Sequence, residues 1–278
     1  MRLAIFARTF SRPTLDEVLL AVRAHGLDLV HFNLACAGLD PLPETLEAEN
    51  ATQISAAFHR RGVGMAGVSG TFNAVHPDTG VRQELTRRCG QIISLAPRMG
   101  TRLVALCTGT RDPTDMWKRH PDNASGEAWR DLLGTLGCLL PVAENAGVTL
   151  GIEAEPNNVV DSAAKARRLL DEMASPNLKI IMDGANLFHD DLARMRDVLR
   201  EALELLANDI VMAHAKDIAD PGGRNSQAAG SGRLDWPEYF RLLRDHHYEG
   251  PLVLHNLAEP EVGESIAFVR DCLAHADV

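Results

Sequence analysis

The stretch VTLGIEAEP, residues 148–156, is an apolar run that ends in two glutamates and a proline. An apolar run of about four to eight residues that is closed by a proline is typical of a buried strand. Side chains two apart on a strand point to the same face, so Glu153 and Glu155 would lie side by side. Neighbouring carboxylates repel each other unless a positive charge is close. The stretch therefore predicts a buried strand whose end lies beside a cation.

Seven further apolar runs occur along the chain, and each is followed by a helical pattern. They are RLAIFA (2–7), LDLVHFNL (27–34), GMAGVSG (64–70), TRLVALCT (101–108), LKIIMDG (178–184), DIVMAHAKD (209–217) and PLVLHNL (251–257). Strands that alternate with helices and read as continuous apolar runs indicate a parallel sheet covered by helices. Eight such units in 278 residues predict an α/β protein whose fold is a closed (β/α)8 TIM barrel, a single domain over residues 1–278.

An open, doubly wound sheet is the alternative architecture. Its usual signature is a glycine-rich loop of the form G-x-G-x-x-G after the first strand, and no such loop follows residues 2–7. The missing loop also weighs against a nicotinamide cofactor.

Composition and charge narrow the classes of partner. The formal net charge is −10 and the sequence pI is near 5.5, so nucleic acid and anionic lipid would gain no electrostatic attraction. No apolar run approaches the roughly 20 residues of a membrane span, and the first residues lack the apolar stretch of a signal peptide. We expect a cytoplasmic protein that binds a small polar substrate or a cation, without a nucleic acid or membrane partner. A homo-oligomer is left open.

Polar side chains collect where the predicted strands end, which is where (β/α)8 barrels carry their active sites. In chain order they include Asn33, His76, Arg111, Glu153, Glu155, Asp183, Asn186, His214, Lys216 and His255. The second half of the chain is the richer half, because its last four strands all end in ionisable residues.

Four of these residues, Glu153, Asp183, His214 and His255, come from four consecutive strands. Neighbouring strands lie about 4.8 Å apart, so their side chains can converge on one ion. Carboxylate and imidazole ligands together suit Mn²⁺, Zn²⁺, Fe²⁺ or Co²⁺ better than Ca²⁺ or Mg²⁺. The sequence predicts a divalent metal site with these four ligands. Each residue taken alone would more often be solvated or would cap a helix.

The runs GIEAEPNNVVDS, KIIMDGANLFH, VMAHAKD and YEGPLVLH resemble strands five to eight of the xylose isomerase-like TIM barrel superfamily, the sugar phosphate isomerase/epimerase group that also contains the apurinic endonucleases. In that family a glutamate, an aspartate, a histidine and a second glutamate after these strands bind a divalent metal. The two glutamates also act as acid and base in sugar epimerases. The resemblance implies that Glu153, Asp183 and His214 are the first three ligands.

Two positions depart from the family pattern. His255 stands where the family usually has its second glutamate, and it can be a ligand or a different base. Asn186 takes the substrate-contacting place after strand six, where the family usually has a histidine.

The family chemistry begins with removal of a proton next to a carbonyl, and a metal ion stabilises the resulting enolate oxygen. Glu153 is then expected to be both ligand and base, with His255 or Glu155 on the opposite side.

The other strand-end residues are expected to contact the substrate. Asn186 and Lys216 follow strands six and seven, and Lys216 is equally a counter-ion for Asp217 or Glu155. His76 and Arg111 lie in long loops after strands three and four, which fit a substrate contact as well as a lid or a subunit contact.

These observations predict a metal-dependent isomerase or epimerase that acts on a sugar, a sugar-like polyol or a keto-sugar. A non-catalytic sugar-binding barrel is the alternative that the change at His255 keeps open. A related lyase or dehydratase is a further alternative. An apurinic endonuclease is disfavoured by the acidic charge and by the lack of additional metal ligands. The sequence specifies neither the sugar nor the metal.

Overall fold

The computed structural model describes residues 1–188, 192–219 and 226–275. Ten strands occur in this part of the chain, and they are named in chain order. Eight of them are β1 (Arg2–Phe6), β2 (Leu29–Phe32), β3 (Gly64–Ser69), β4 (Leu103–Cys107), β5 (Thr149–Glu153), β6 (Leu178–Asp183), β7 (Ile210–Ala215) and β10 (Pro251–Leu254). The remaining two, β8 (Asp217–Ile218) and β9 (Ser226–Gln227), form a short antiparallel pair after β7.

The eight strands form a closed barrel in the order β1-β10-β7-β6-β5-β4-β3-β2, and all neighbours are parallel. The predicted (β/α)8 TIM barrel is thereby confirmed. Every apolar run that predicted a strand contains one, and β10 supplies the eighth position of the barrel.

Helices follow the barrel strands and cover them. They are α1 (Leu15–Ala24), α2 (Ala48–Arg61), α3 (Thr79–Met99), α4 (Gly126–Ala146), α5 (Ala163–Met173), α6 (Met195–Leu206), α7 (Trp236–Asp245) and α8 (Val262–His275). Local sequence fixes their ends: Thr14 and Glu17 form a capping box at the start of α1, and Gly100 ends α3 with a left-handed φ of 110°. None of the helices in the described ranges combines the length and the hydropathy needed to cross a bilayer.

The interior of the barrel is built in layers because alternate residues of each strand face inward. A small apolar cluster fills the lower layers, and it consists of Ala4, Leu29, Leu103, Ala105, Ile181, Met212 and Val253. The inward-facing position two residues further along the strands is mostly polar or aromatic. These upper positions are Phe6, His31, Cys107, Asp183, His214 and His255, with Glu153 at the same level on β5.

The apolar floor beneath the polar layer is tightly packed at Gly151. A Cβ atom added at Gly151 would lie 2.9 Å from Ile181 Cγ1 and 3.2 Å from Leu103 Cδ1. Those two side chains therefore meet over the glycine, which is why this strand carries no side chain there.

The substitution Gly151→Ala is expected to lower the free energy of unfolding by about 1–3 kcal/mol, because the methyl group overpacks the floor. The matched control is Gly137→Ala in α4, where an added Cβ meets nothing within 4 Å. It should raise stability by up to about 1 kcal/mol through helix propensity. Urea unfolding of both variants measures the difference, and equal effects would contradict the packing argument.

Candidate metal centre and active site

Glu153, Asp183 and His214 come together at the carboxyl ends of β5, β6 and β7. Each offers one ligand atom, and the three atoms lie within 4.8 Å of one another. His214 Nδ1 is 3.1 Å from Glu153 Oε1 and 3.4 Å from Asp183 Oδ2. The three residues are 7%, 3% and 1% exposed in that order. Two carboxylates and an imidazole at one buried point are a donor set that fits a divalent transition metal.

Lys216 supplies a buried positive charge beside this group. Its Nζ lies 2.9 Å from Asp183 Oδ2 and donates a 2.5 Å hydrogen bond to Asn186 Oδ1. Asn186 Nδ2 in turn donates to Glu153 Oε1 at 3.0 Å. Lys216, which is 4% exposed, is thus connected to both carboxylates, directly and through Asn186.

The direct counter-ion of Lys216 is Asp183, and the structure explains why it is not Asp217. The Asp217 carboxylate accepts hydrogen bonds from the backbone N–H groups of Ile218, Gly230 and Leu234 and from Trp236 Nε1. Its oxygens are therefore occupied in holding the segment that follows β7.

Proton affinities in the group are strongly shifted by burial and by charge. Burial alone would raise the pKa of Asp183, but Lys216 and His214 outweigh it and hold that pKa below its usual range. Burial alone would lower the pKa of His214, but Glu153 and Asp183 raise it to about 9. Burial and the nearby Glu153 raise the pKa of Glu155 to about 8. Near neutral pH the group therefore holds an imidazolium, an ammonium and a largely protonated Glu155.

His255, the fourth predicted ligand, lies beside the group rather than within it. Its ring is stacked on that of His214, with centroids 4.7 Å apart and planes 6° from parallel. An imidazole nitrogen binds a metal in the plane of its ring, so two stacked, parallel rings are not oriented toward one shared ion in this structure. The role of His255 as a ligand stays a prediction.

The protonation of His255 follows from the same surroundings. Burial and the positive charges of His214 and Lys216 lower its pKa well below the usual value, so the imidazole is neutral. Its Nδ1 has no hydrogen-bond partner among the described residues, while the ring as a whole is half-buried. The neutral ring therefore has one nitrogen that no described residue engages.

A second group of possible ligands consists of Cys107, Glu153 and Glu155. Burial and the nearby Glu153 raise the pKa of the Cys107 thiol well above its usual value. Because the thiolate is the form that binds metals, this group is less suited to an ion than the group with Asp183 and His214.

Arg111 and His76 lie in the loops after β4 and β3, apart from the carboxylates. Arg111 donates to Val75 O and forms an ion pair with Asp131 at 2.7 Å. His76 Nε2 contacts Pro113 O at 3.1 Å. Both side chains fasten the two loops to each other and to α4, and their role as substrate contacts stays a prediction.

One residue of the upper layer, His31, is not among the sequence-predicted candidates. It is 4% exposed, and its ring centroid lies 6.0 Å from that of His214 and 5.1 Å from that of Phe6. The signal for it is the two-residue spacing from Leu29, which faces the barrel floor. Asn33, by contrast, accepts a hydrogen bond from Ala35 N and caps its own turn.

A (β/α)8 barrel whose strands end in buried carboxylates and a histidine has donor groups that could hold a metal ion, at the end of the barrel where this fold carries its active sites. Residues 19–272 match the profile of the family described as xylose isomerase-like TIM barrel. The chain belongs to that family.

Two curated relatives have the name D-psicose 3-epimerase. The protein from Agrobacterium fabrum is 25% identical over 166 residues, which is 57% of this chain and 53% of the relative. The protein from Enterocloster bolteae is 29% identical over 121 residues, which is 42% of this chain and 36% of the relative. The chain thus matches about half, or less, of the length of these relatives.

Solved structures with the same fold include other sugar epimerases. The 3-keto-D-glucoside 4-epimerase from E. coli has a TM-score of 0.78 at 20% identity and covers 98% of this chain and 100% of its own. An L-ribulose 3-epimerase has a TM-score of 0.78 at 18% identity, over 99% of this chain and 95% of its own. D-psicose 3-epimerase from Clostridium cellulolyticum, solved with D-tagatose, has a TM-score of 0.76 at 16% identity. The match covers 98% of this chain and 99% of that protein.

The free energy of unfolding of the metal-free protein is expected to fall as pH rises from about 6.5 to about 9. The folded pKa of His214 is raised to about 9 from 6.5, so its stabilising contribution is full below pH 6.5 and is lost through pH 9. Glu155, raised to about 8 from 4.5, adds a decline in the same direction. Urea unfolding in EDTA between pH 6 and pH 9 tests this. His214→Gln should flatten the slope, and a wild-type slope that is flat or positive would contradict the assignment.

Proposed function

We propose that the protein is a divalent-metal-dependent epimerase or isomerase that moves a proton next to the carbonyl of a sugar. The observation that carries this proposal is the convergence of Glu153, Asp183 and His214, whose ligand atoms lie within 4.8 Å of one another at the active-site end of the barrel. Membership of the family and the sugar epimerases among its relatives support the substrate class.

Glu153, Asp183 and His214 would hold the ion, and Mn²⁺, Zn²⁺, Fe²⁺ or Co²⁺ suits them. A bound divalent ion stabilises negative charge on a carbonyl oxygen of the substrate. An imidazole ligand must be neutral, so His214 would have to give up its proton, for which its pKa is about 9, in order to hold the ion. Lys216 stays beside Asp183 as a fixed positive charge.

Proton transfer is assigned to Glu153 and His255. Epimerisation requires that a proton leaves one face of a carbon and that another arrives on the opposite face. Glu153 on β5 and His255 after β10 are three strands apart around the barrel, so they can serve opposite faces. One of them accepts the proton as the C–H bond breaks, and the electron pair moves to the carbonyl oxygen. The other, which must enter the step in its protonated form, then donates its proton to the enolate carbon, and proton exchange with water restores both groups before the next turnover.

Three neighbours are proposed to bind substrate oxygens. Glu155 is half-buried at the edge of the group and is largely protonated near neutral pH, so it can donate a hydrogen bond. Lys216 and Asn186 already hydrogen-bond each other beside the carboxylates and can turn their remaining donors toward a hydroxyl group.

The proposal predicts about one tightly bound divalent ion per chain and deuterium exchange at the carbon next to the carbonyl. The protein is stripped with EDTA, reloaded with Mn²⁺, Co²⁺ or Zn²⁺, and incubated in D₂O with D-fructose, D-psicose, D-tagatose or L-ribulose. Asp183→Asn should abolish both metal binding and exchange. Asp28→Asn, which affects an exposed ion pair with Arg2, is the control that should change neither.

Two outcomes would contradict the proposal in different ways. Absence of metal binding under all loading conditions rejects the metal site. Binding of metal and sugar without exchange or product identifies a non-catalytic sugar-binding barrel instead.

The two possible roles of His255 are separated by His255→Gln. If His255 is the base, kcat should fall by about 10²- to 10⁴-fold while the Kd for Mn²⁺ changes by less than about threefold. Mn²⁺ titration followed by electron paramagnetic resonance measures the affinity. A rise of the Kd by more than about tenfold would identify His255 as a ligand and would overturn the assignment as the base.

A further inference from the structure

We infer that His31 is a substrate-binding residue. It hydrogen-bonds a hydroxyl group of an uncharged monosaccharide, on the side of the barrel mouth that faces Asp183. The inference rests on the proposed function, because it assigns the part of the same site that receives the end of the sugar remote from the carboxylates.

The position of His31 follows from the topology. Strand β2 is three strands from β7 around the barrel and stands opposite β6. The rings of His31 and His214 are nevertheless only 6.0 Å apart, so they approach each other across the interior. The ring centroid of Phe6 lies 5.1 Å from that of His31 and 4.7 Å from that of His255. Phe6 and His255 are both half-buried. His31 therefore lies just beneath the accessible edge of the mouth.

The ring nitrogens of His31 have no hydrogen-bond partner among the described residues. Five buried side-chain nitrogen or oxygen atoms in the described part of the chain have no hydrogen-bond partner, and four of them belong to histidines. Both ring nitrogens of His31 are among the four, together with His214 Nε2 and His255 Nδ1. The fifth is Asp183 Oδ2, which has Lys216 as its ion-pair partner.

Burial of ring nitrogens without hydrogen-bond partners lowers the stability of the folded protein. A buried donor or acceptor without a partner costs about 1–3 kcal/mol, so most such groups in proteins are paired. The buried Asn73, Thr108 and Asn158 in the neighbouring loops follow that rule, since each is hydrogen-bonded. The unpaired nitrogens instead all belong to histidines of the upper layer that meet at the mouth, as expected of groups that are paired by a ligand.

The chemistry of the ring selects the ligand class. His31 is 4% exposed and no described carboxylate is paired with its ring nitrogens, so burial favours the neutral ring. A neutral imidazole has one donor and one acceptor nitrogen, which matches a hydroxyl group better than a phosphate or a carboxylate. The ring of Phe6 beside it offers an apolar surface to the C–H groups of a sugar.

His31 is distinct from the candidate metal ligands. The groups of ligand atoms that lie within 4.8 Å of one another in the described residues contain Glu153, Asp183 and His214 or Cys107, Glu153 and Glu155, without His31. Its substitution is therefore expected to weaken sugar binding and to leave metal binding unchanged.

The test uses the Mn²⁺-loaded protein and whichever of D-fructose, D-psicose, D-tagatose and L-ribulose it converts. His31→Leu should raise KM by about tenfold or more with kcat changed by less than about threefold, since it removes a ground-state hydrogen bond. His31→Gln keeps a donor and an acceptor, so its KM should lie between those of the wild type and of His31→Leu. His25→Leu is the control, because His25 packs on Phe10 with centroids 5.5 Å apart, and α1 ends outside the barrel. An unchanged KM in His31→Leu, or a loss of Mn²⁺ affinity, would overturn the inference.

A direct binding experiment distinguishes failure of the proposed function from failure of the inference about His31. If the wild type converts none of these sugars, the same sugars and the carbonyl-free polyol D-mannitol are titrated into Zn²⁺-loaded protein with ¹⁵N-labelled histidine. The ring nitrogen signals of His31 are assigned as those that are missing from the spectrum of His31→Gln. A change in their chemical shift on addition of a sugar supports the contact between His31 and the sugar. If no sugar moves those signals, His31 is a packed residue, and the inference is rejected whatever the reaction.

Discussion

The repulsion between two buried carboxylates, Glu153 and Asp183, is the constraint that organises the mouth of this barrel. Both face His214 Nδ1 from within 3.4 Å, in surroundings where water screens charge poorly. The positive charges of His214 and Lys216 offset them. Each of these four side chains would be costly to bury alone, so the group is stable only when it is complete or when an ion replaces part of it.

The layered interior explains how the chain supports such a group. The floor below it is apolar and is packed closely enough that Gly151 cannot carry a methyl group without displacing Ile181 or Leu103. The charged side chains thus stand on rigid strand ends and not on loops. Asp217 fixes the segment that follows β7, because its carboxylate accepts hydrogen bonds from three backbone N–H groups and from the Trp236 indole. The packed lower layers give the charged groups a rigid base, and the top layer adds stability only while its opposite charges stay paired.

The fold and the centre of the site could be predicted from sequence because both depend on patterns along single strands. Apolar runs mark the barrel strands, and the residue at the end of each run marks the mouth, which places Glu153, Asp183 and His214 together. Contacts between elements could not be predicted in this way. The pairing of Lys216 with Asp183, the stacking of His255 on His214 and the turn of Arg111 toward Asp131 depend on side-chain directions across strands and loops.

His31 shows the same limit within a strand. Strand β2 is only four residues long, and its buried residues LVHF read as an apolar run, so attention falls on Asn33 at its end. The alternation from Leu29 places His31 inward, but alternation is visible only once it is known that Leu29 lies in the barrel floor. A strand buried on both faces hides its inward-facing polar residue among apolar neighbours on the other face.

Closure of the barrel depends on the pairing of β1 with β10, in which Arg2 lies opposite Pro251 and Ile5 lies opposite Leu254. During synthesis β1 emerges from the ribosome long before β10, so one edge of β1 has no barrel partner until β10 has been made. An open parallel edge of this kind is a template for pairing with other chains. The nascent protein therefore carries an incomplete sheet until β10 has been made, and the exposed edge of β1 is a site where pairing with another chain would compete with closure of the barrel.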